Sequence, residues 1–505
     1  MNARTMSIAV AALPERIIEQ ARRRPSAPAL LWHGERISYG DLQEMARDTQ
    51  AHLERLAVPR RGPLGILAKK SPHAISLILA CLLDRRSILL PSTSLGGDTL
   101  QRLFTQAGCG HMLSPGTNPG SLSCEAVGEA PTEDRSRPLT AGEAALMLTT
   151  SGSTGVPKIV PLALPAIDRF TDWAGAHFGI TGDTTVLNYA PLNFDLCLLD
   201  IWTTLAHGGC VALVDQDRAT NAHYLVDLIT TAQPQVIQAV PMLYRLLIDA
   251  TQDSGHRVTS TRDVIVTGDS TPQRTLAALP ALFPHARFSN IYGSTETNDS
   301  FIHEIDISHA ATQPHLPIGR PIEGVSALVV DDAGQALEGP GTGELWVATP
   351  FQTSGYLCAA LNDGKFVSYP GDAGRRTYFR TGDTVRRHDD GTITLEGRTD
   401  SFVKVRGVRI STQVVEQVIL GHDQVVEVAV VAVPDEVAGN RLHAVVRREA
   451  TSRLNSLTLR RHCARGLDRA AIPSTIRIVT TPLPKTSTGK IDRQRSVFSQ
   501  EEKST

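Results

Sequence analysis

The sequence predicts a large N-terminal multi-layer α/β domain that carries a β-rich subdomain, followed by a small C-terminal α+β domain. Three observations lead there. From residue 1 to about 395, helical segments alternate with short apolar strands, as a layered α/β domain requires. Between Gly343 and Glu396 the helical spacing gives way to strand and turn signals. After Asp400 comes a compact block of about a hundred residues with its own strands and helices, and 505 residues are in any case too many for one ordinary core.

Within the first domain, Ala74 to Leu83 is the longest apolar run. It is about half as long as a bilayer span and reads as a buried helix. Strands are expected at Ala144 to Leu148, Asp263 to Val266 and Arg287 to Tyr292, and each runs into a loop rich in Gly, Ser or Thr. In open α/β sheets ligands bind at such strand ends, so three converging loops would make one site. Ser114 to Pro138 reads as a loose loop. In the β-rich stretch, Gly343 to Val347 forms a strand, and Thr392 to Leu395 follows the turn signal Asp389-Asp390-Gly391. The last block holds a helix near Gln413 to Leu420, strands at Val426 to Val433 and Leu442 to Val446, a helix around Leu457 to Leu467, and a strand at Thr475 to Val479. The domain boundary falls near Asp400.

Lys and Arg total 50 against 52 Asp and Glu, so no global field steers the chain toward nucleic acid or an acidic membrane. An anionic ligand must be held by a local site. The seven cysteines are scattered, odd in number and never in CxxC spacing, which fits a reduced compartment and a cytoplasmic location. The apolar run Ser7 to Leu13 is followed at once by Pro14-Glu15-Arg16, so no signal peptide is expected.

The most specific signal is Leu148-Thr149-Thr150-Ser151-Gly152-Ser153-Thr154-Gly155-Val156-Pro157-Lys158. Two glycines let the backbone N–H groups close around a phosphate without a Cβ in the way, and the hydroxyls and Lys158 add donors. It is not the GxxxxGK[ST] pattern, because the lysine lies beyond a proline. Four further motifs accompany it: Asn290-Ile291-Tyr292-Gly293-Ser294-Thr295-Glu296-Thr297, Tyr378-Phe379-Arg380-Thr381-Gly382-Asp383, Gly397-Arg398-Thr399-Asp400, and Pro484 to Arg493 with Lys490 in its Thr-Gly-Lys.

In order and spacing these motifs resemble the adenylate-forming superfamily of acyl-CoA synthetases, luciferases and nonribosomal peptide synthetase adenylation domains. The resemblance runs from Ile37-Ser38-Tyr39-Gly40-Asp41-Leu42 to Arg493, nearly the whole chain. It implies ATP-dependent formation of an acyl-adenylate with release of pyrophosphate. Negative charge develops on phosphate oxygens in that step, so the site must supply positioning and cations. By resemblance, Thr150, Ser151, Gly152, Ser153, Thr154, Gly155 and Lys158 cradle phosphate, with Asn290, Gly293 and Thr295 beside them. Tyr292 stacks on adenine. Asp383 accepts hydrogen bonds from the ribose hydroxyls, Arg398 is its partner, and Glu296 holds magnesium. Lys490 is the catalytic lysine.

The resemblance also divides the chain into a core, 1–397, a hinge, 398–402, and a mobile lid domain, 403–505. The lid would turn about Asp400, presenting first Lys490 and then the loop Lys404-Val405-Arg406-Gly407 to the site. Four positions depart from the family's pattern: Ile159, Ser294, Ser411 and Val414.

Among amino-acid-activating members, an aspartate after a phenylalanine pairs with the substrate ammonium, and Asn193-Phe194-Asp195-Leu196 supplies Asp195 there. A carboxylate beside an apolar pocket is costly unless a cation arrives, which favours an amino acid over a fatty or aryl acid. The other reading of Asp195 is the N-cap of a helix over Leu196 to Leu205. Carried over by position, the remaining pocket residues are Leu196, Leu199, Leu243, Ile265, Thr267, Ile291, Asp299 and Ser300. Bulky apolar walls suggest a small amino acid, and Asp299 and Ser300 add a polar contact. Asn298 after Tyr-Gly-Ser-Thr-Glu-Thr is similar to stand-alone domains that activate proline or comparable small amino acids.

The chain stops about a dozen residues after Arg493 with no Gly-Gly-x-Ser carrier segment. The acceptor is therefore expected to be the phosphopantetheine thiol of a separate carrier protein, with coenzyme A as second choice. Two rivals stand: an acyl- or aryl-CoA ligase of the same superfamily, and a catalytically silent nucleotide-binding protein.

Overall fold

The computed structural model describes residues 11–60, 62–116, 122–128, 144–150, 157–307, 316–371, 374–398, 402–405, 408–435, 439–467, 469–485 and 491–498. It is a mixed α/β structure with a large N-terminal and a small C-terminal domain. Two mainly parallel sheets organise the larger part. A nine-stranded sheet runs Arg320–Pro321, Asn298–Glu304, Arg287–Ser294, Asp263–Thr267, Val236–Ala239, Thr185–Asn188, Cys210–Leu213, Pro28–Trp32, Glu35–Ser38. A six-stranded sheet runs Leu122–Ala126, His111–Pro115, Leu64–Ile66, Ile88–Leu90, Leu146–Thr150, Lys158–Leu162. Central strands read as unbroken apolar runs because both faces are covered, and Asp263–Thr267 is buried at every residue.

One hydrophobic cluster joins the two sheets. It contains Leu64, Ile88, Leu146 and Val160 from the smaller sheet, Val186, Val211 and Ile265 from the larger, and the helix Pro72–Leu83. That helix is the expected apolar run, buried along nearly its whole length. It starts where the Ser71 hydroxyl accepts from the Ala74 N–H at 3.1 Å, with proline at its first position. A second cluster covers the opposite face of the nine-stranded sheet, with Leu187, Ile237, Val264 and Val266 against Tyr244 and Leu247.

The β-rich subdomain is an antiparallel sheet in which Gly374–Arg387 lies between Gly341–Ala348 and Phe366–Gly371, with Ile393–Arg398 also paired to it. The C-terminal part has a hairpin, Phe402–Val405 with Val408–Ser411, and a three-stranded sheet of Val425–Asp435, Gly439–Arg448 and Thr475–Val479, covered by helices Thr412–Leu420 and Ser456–Gly466. It touches the larger part where Arg245 Nη1 donates to the Val426 carbonyl at 3.1 Å and Arg274 Nη1 to the Asp423 carbonyl at 3.2 Å.

Two expectations need correction. The strand placed at Ala144 to Leu148 lies at Leu146–Thr150. Thr149 and Thr150 continue it because they pair with Ile159 and Lys158 in a hairpin. The loose loop from Ser114 contains a strand, Leu122–Ala126, paired with His111–Pro115. As an edge strand it is largely exposed, so its composition carries no apolar alternation. No described helix is long and apolar enough to cross a membrane.

Candidate active site

The site begins with the hairpin between Arg287–Ser294 and Asn298–Glu304. Tyr292 pairs with Phe301 but Gly293 pairs with Asp299, so Ser300 is an extra residue, a β-bulge. The turn is tight: the Thr297 N–H donates to the Ser294 carbonyl at 3.0 Å, and Asn298 takes φ 53°. A Cβ on residue 293 would sit 2.2 Å from the Asn298 carbonyl oxygen, which is why glycine stands there. Ser300 is consumed by the bulge, its hydroxyl donating to the Asn298 carbonyl at 2.9 Å. The Asn290 side chain donates to the Pro317 carbonyl at 2.7 Å and so supports the strand end. Thr295 lies partly exposed in the turn.

The turn places Glu296, 8% exposed, against the loop after Ala348. Its backbone carbonyl accepts from the Thr353 N–H at 2.9 Å, and its Oε1 accepts from the Tyr356 hydroxyl at 2.6 Å. On the other side of that phenol, Lys158 Nζ lies 4.9 Å from the ring centroid. Thr150 and Lys158 pair across the hairpin, and Lys158 approaches Glu296 through Tyr356. Tyr356 was not among the residues singled out from the sequence. Its one signal is Gly355 at φ 147° just before it, in a segment that reads otherwise as loop. Burial and the Glu296 charge push the phenol well above its usual range, so it stays a donor.

The second part lies where Gly374–Arg387 and Ile393–Arg398 pair with Asp383 opposite Arg398. Arg398 Nη1 donates to Asp383 Oδ1 at 3.0 Å, and the Tyr292 hydroxyl donates to Asp383 Oδ2. The Asp383 N–H donates to the Thr381 hydroxyl at 3.0 Å. Tyr292 packs its ring edge-on to Phe301 at 5.8 Å. The nucleotide-binding candidates Tyr292, Asp383 and Arg398 are thus one hydrogen-bonded unit.

The third part is the candidate substrate pocket. Phe194, Leu196, Leu199, Ile265 and Ile291 share the cluster between the two sheets, and Thr267 is buried at the end of its strand, paired with Ile291. Leu243 does not join them. It is buried in the cluster on the other face of the sheet with Val264 and Leu247, while its neighbour Met242 is only partly buried. One residue on a helix is a rotation of about 100°, enough to turn a side chain away. The helix expected over Leu196 to Leu205 starts as a π-helical turn at Leu198–Thr203 and has no side-chain cap, so Asp195 is not its N-cap. Burial and then the charge of Asp195 push Asp299 up to about 8.

Ser151, Gly152, Ser153, Thr154, Gly155, Asp400 and Lys490 lie outside the described residues. So do Arg406 and Gly407 of the second loop.

Among known proteins, the AMP-binding enzyme family matches residues 17–357, and the AMP-binding enzyme C-terminal domain matches 414–490. The chain is 27% identical over 95% of its length to an L-proline–[L-prolyl-carrier protein] ligase of Pseudomonas fluorescens, spanning 98% of that protein. It is 34% identical over 71% of its length to a ligase of the same name from Streptomyces coelicolor, of which it spans 66%. It shares its fold with the structure of Klebsiella oxytoca NpsA in complex with 3-hydroxyanthranilyl-AMSN, at TM-score 0.79 and 23% identity over 96% of this chain and 98% of that one.

Proposed function

This chain belongs to the AMP-binding enzyme family, and on that premise we propose that it activates a small amino acid as aminoacyl-AMP and passes it to the thiol of a separate carrier protein. In the first step the amino acid carboxylate attacks the α-phosphorus of ATP and the bond to pyrophosphate breaks. In the second a thiolate attacks the acyl carbon and AMP leaves. What supports the amino-acid reading is Asp195, held between Phe194 and Leu196 beside the largely apolar walls Leu199, Ile265 and Ile291. Such a pocket is stabilised by a cationic substrate and rejects a fatty acid, which weighs against the acyl- or aryl-CoA ligase reading. The two proline ligases support the same substrate class and a carrier-protein acceptor.

The residue roles are part of the same proposal, which the geometry and the resemblance support. Thr150 and Lys158 pair at the two ends of the phosphate loop, and Lys158 lies over Tyr356, the partner of Glu296. Tyr292, Asp383 and Arg398 form the nucleoside end, where Asp383 exchanges a protein donor for ribose hydroxyls. Among the described residues no group of three or more His, Cys, Asp or Glu gathers as a metal cage. A lone buried carboxylate suits magnesium, which keeps phosphates and water as its other ligands, and Glu296 would hold it. Magnesium bound there would neutralise charge on the phosphates. Lys490 is assigned the same task on the adenylate side, delivered by domain 403–505 turning at Asp400 within the hinge 398–402. The phosphopantetheine thiol of the carrier would then enter past Lys404 to Gly407.

Tyr356 positions Glu296. Tyr356→Phe is expected to raise the magnesium concentration needed for half-maximal activity about tenfold, with little change at saturation. A magnesium titration of pyrophosphate exchange checks it, and an unchanged midpoint removes Tyr356 from the site. The function itself is tested by an ATP–pyrophosphate exchange screen over the common amino acids, with benzoates and fatty acids alongside. Exchange with the latter alone would select the CoA-ligase reading, and ATP binding without any acyl-AMP the silent one.

A further inference from the structure

One stripe of a helix in the large domain faces the C-terminal domain. Helix Pro241–Thr251 buries Leu243, Tyr244 and Leu247 against the nine-stranded sheet. Met242, Arg245 and Asp249, three and four residues apart, share its other side. The helix starts at the end of strand Val236–Ala239, next to the strand that ends at the pocket residue Thr267. Among the described residues each apolar cluster belongs to one domain, and the contacts that cross between the domains here are polar.

A β-bulge fits the C-terminal domain to this stripe. Val425 pairs with Arg448 and Glu427 with Arg447, so Val426 is an extra residue without a register partner. Its carbonyl is the one that accepts from Arg245 Nη1 at 3.1 Å, across the domain boundary. Glu427, 5% exposed, follows the bulge. Its Oε2 accepts from the Leu483 N–H at 3.0 Å and lies 3.3 Å from Arg447 Nη1. Its Oε1 lies 3.3 Å from Lys485 Nζ and 4.0 Å from Arg245 Nη2. Burial raises the Glu427 carboxyl, but the Leu483 N–H, Lys485, Arg447 and Arg245 outweigh it and hold the carboxyl below its ordinary value. Glu427 is therefore an anion at neutral pH, and of these three cations Arg245 alone comes from the large domain.

Lys485 connects this cluster to the segment that carries Lys490. It pairs with Ile491 on the far side of that segment, and the Asp492 N–H donates to the Pro484 carbonyl at 2.8 Å. Leu483 and Ile491 pack with Ala429 and Val431 of the C-terminal sheet. Farther on, Arg493 donates to both oxygens of Glu416, from Nε at 2.7 Å and from Nη2 at 2.8 Å. Both flanks of the segment are thus fixed to the small domain. One of them also touches the large domain, because Lys485 Nζ lies 3.0 Å from Sδ of Met242, three residues before Arg245.

We infer that Arg245 is a positioning residue of the adenylation step: it seats the C-terminal domain by capturing the Val426 carbonyl and Glu427, and through Glu427 and Lys485 sets where the segment carrying Lys490 stands. This rests on the two-step reading above and adds to it the residue of the large domain that selects one domain arrangement. The contact has to break before the thiol step, and its form suits that. A partly exposed guanidinium 4.0 Å from its carboxylate makes a weak, exchangeable pair. Arg447, Lys485 and the Leu483 N–H keep Glu427 partnered within its own domain once Arg245 has left. Without Arg245 the seated arrangement is less populated, and adenylation slows with that population.

The test measures the two half-reactions separately in the full chain. With the amino acid that the native chain activates, Arg245→Ala is expected to lower kcat of pyrophosphate exchange about tenfold while KM for ATP and for the amino acid stay within about threefold. Thioester formation from synthetic aminoacyl-AMP should be unchanged or faster in the same variant, a split that a merely destabilised fold does not produce. Arg245→Lys should bring exchange back to within about threefold of native, since a point charge still reaches Glu427. Arg245→Ala combined with Glu427→Gln should lose less than the product of the two single losses, because both act on one contact. Arg245→Gln, which keeps most of the side chain, carries the same comparison should Arg245→Ala fail to fold. Exchange within about twofold of native in the Arg245 variants, or equal losses in both half-reactions, overturns the inference and leaves the amino-acid reading standing. Exchange with aryl or fatty acids alone overturns the amino-acid reading instead, and a loss confined to exchange with those acids still upholds the role of Arg245.

Discussion

Asp195→Ala is expected to lower amino-acid-dependent pyrophosphate exchange by about a thousandfold or more, the largest effect of any single pocket change. The α-ammonium of the substrate enters a region whose walls, Leu196, Leu199, Ile265 and Ile291, offer it nothing. Removing the carboxylate leaves a desolvated cation without a partner, and sites built on such pairs discriminate by about 10⁴ to 10⁵. The loss should appear in kcat/KM for the amino acid and leave the KM for ATP nearly unchanged, since Asp383, Arg398 and Tyr292 are a separate hydrogen-bonded unit. An Asp195→Ala variant that still activates its amino acid within about tenfold of the native rate would remove Asp195 from substrate binding.

Lys490→Ala is expected to reduce adenylation by on the order of 100-fold or more while the fold survives. A charge that bridges the substrate carboxylate and the adenylate matters most when the phosphorus is five-coordinate, so the decrease should fall on kcat rather than on either KM. Thioester formation from synthetic aminoacyl-AMP, which needs no pentacoordinate phosphorus, should be far less affected. An unchanged exchange rate would defeat the assignment.

Both expectations rest on residues that could be named from the sequence, and the reason is chemical. Phosphate loops, a ribose-binding acid and an ammonium-binding acid require particular residue types at short spacing, so they leave local motifs. Asp383 and Arg398 are fifteen positions apart and meet as paired residues of neighbouring strands. The strands Asp263–Thr267 and Thr475–Val479 were likewise readable from apolar runs and β-branched content.

What the sequence by itself determined is the layered α/β class with its smaller C-terminal partner and the order of the chemical motifs. Each of these depends on a residue and its near neighbours along the chain. Only the tertiary structure decided that Tyr356 ties Glu296 to Lys158, that Leu243 faces away from the pocket, and that Lys70, Asn188 and Asp200 are buried together and hydrogen-bonded. Periodicity states which face of an element is apolar, but not which distant element covers it. A buried lysine more than a hundred residues from its acceptor carbonyls leaves no trace in either segment until the sheets close on each other.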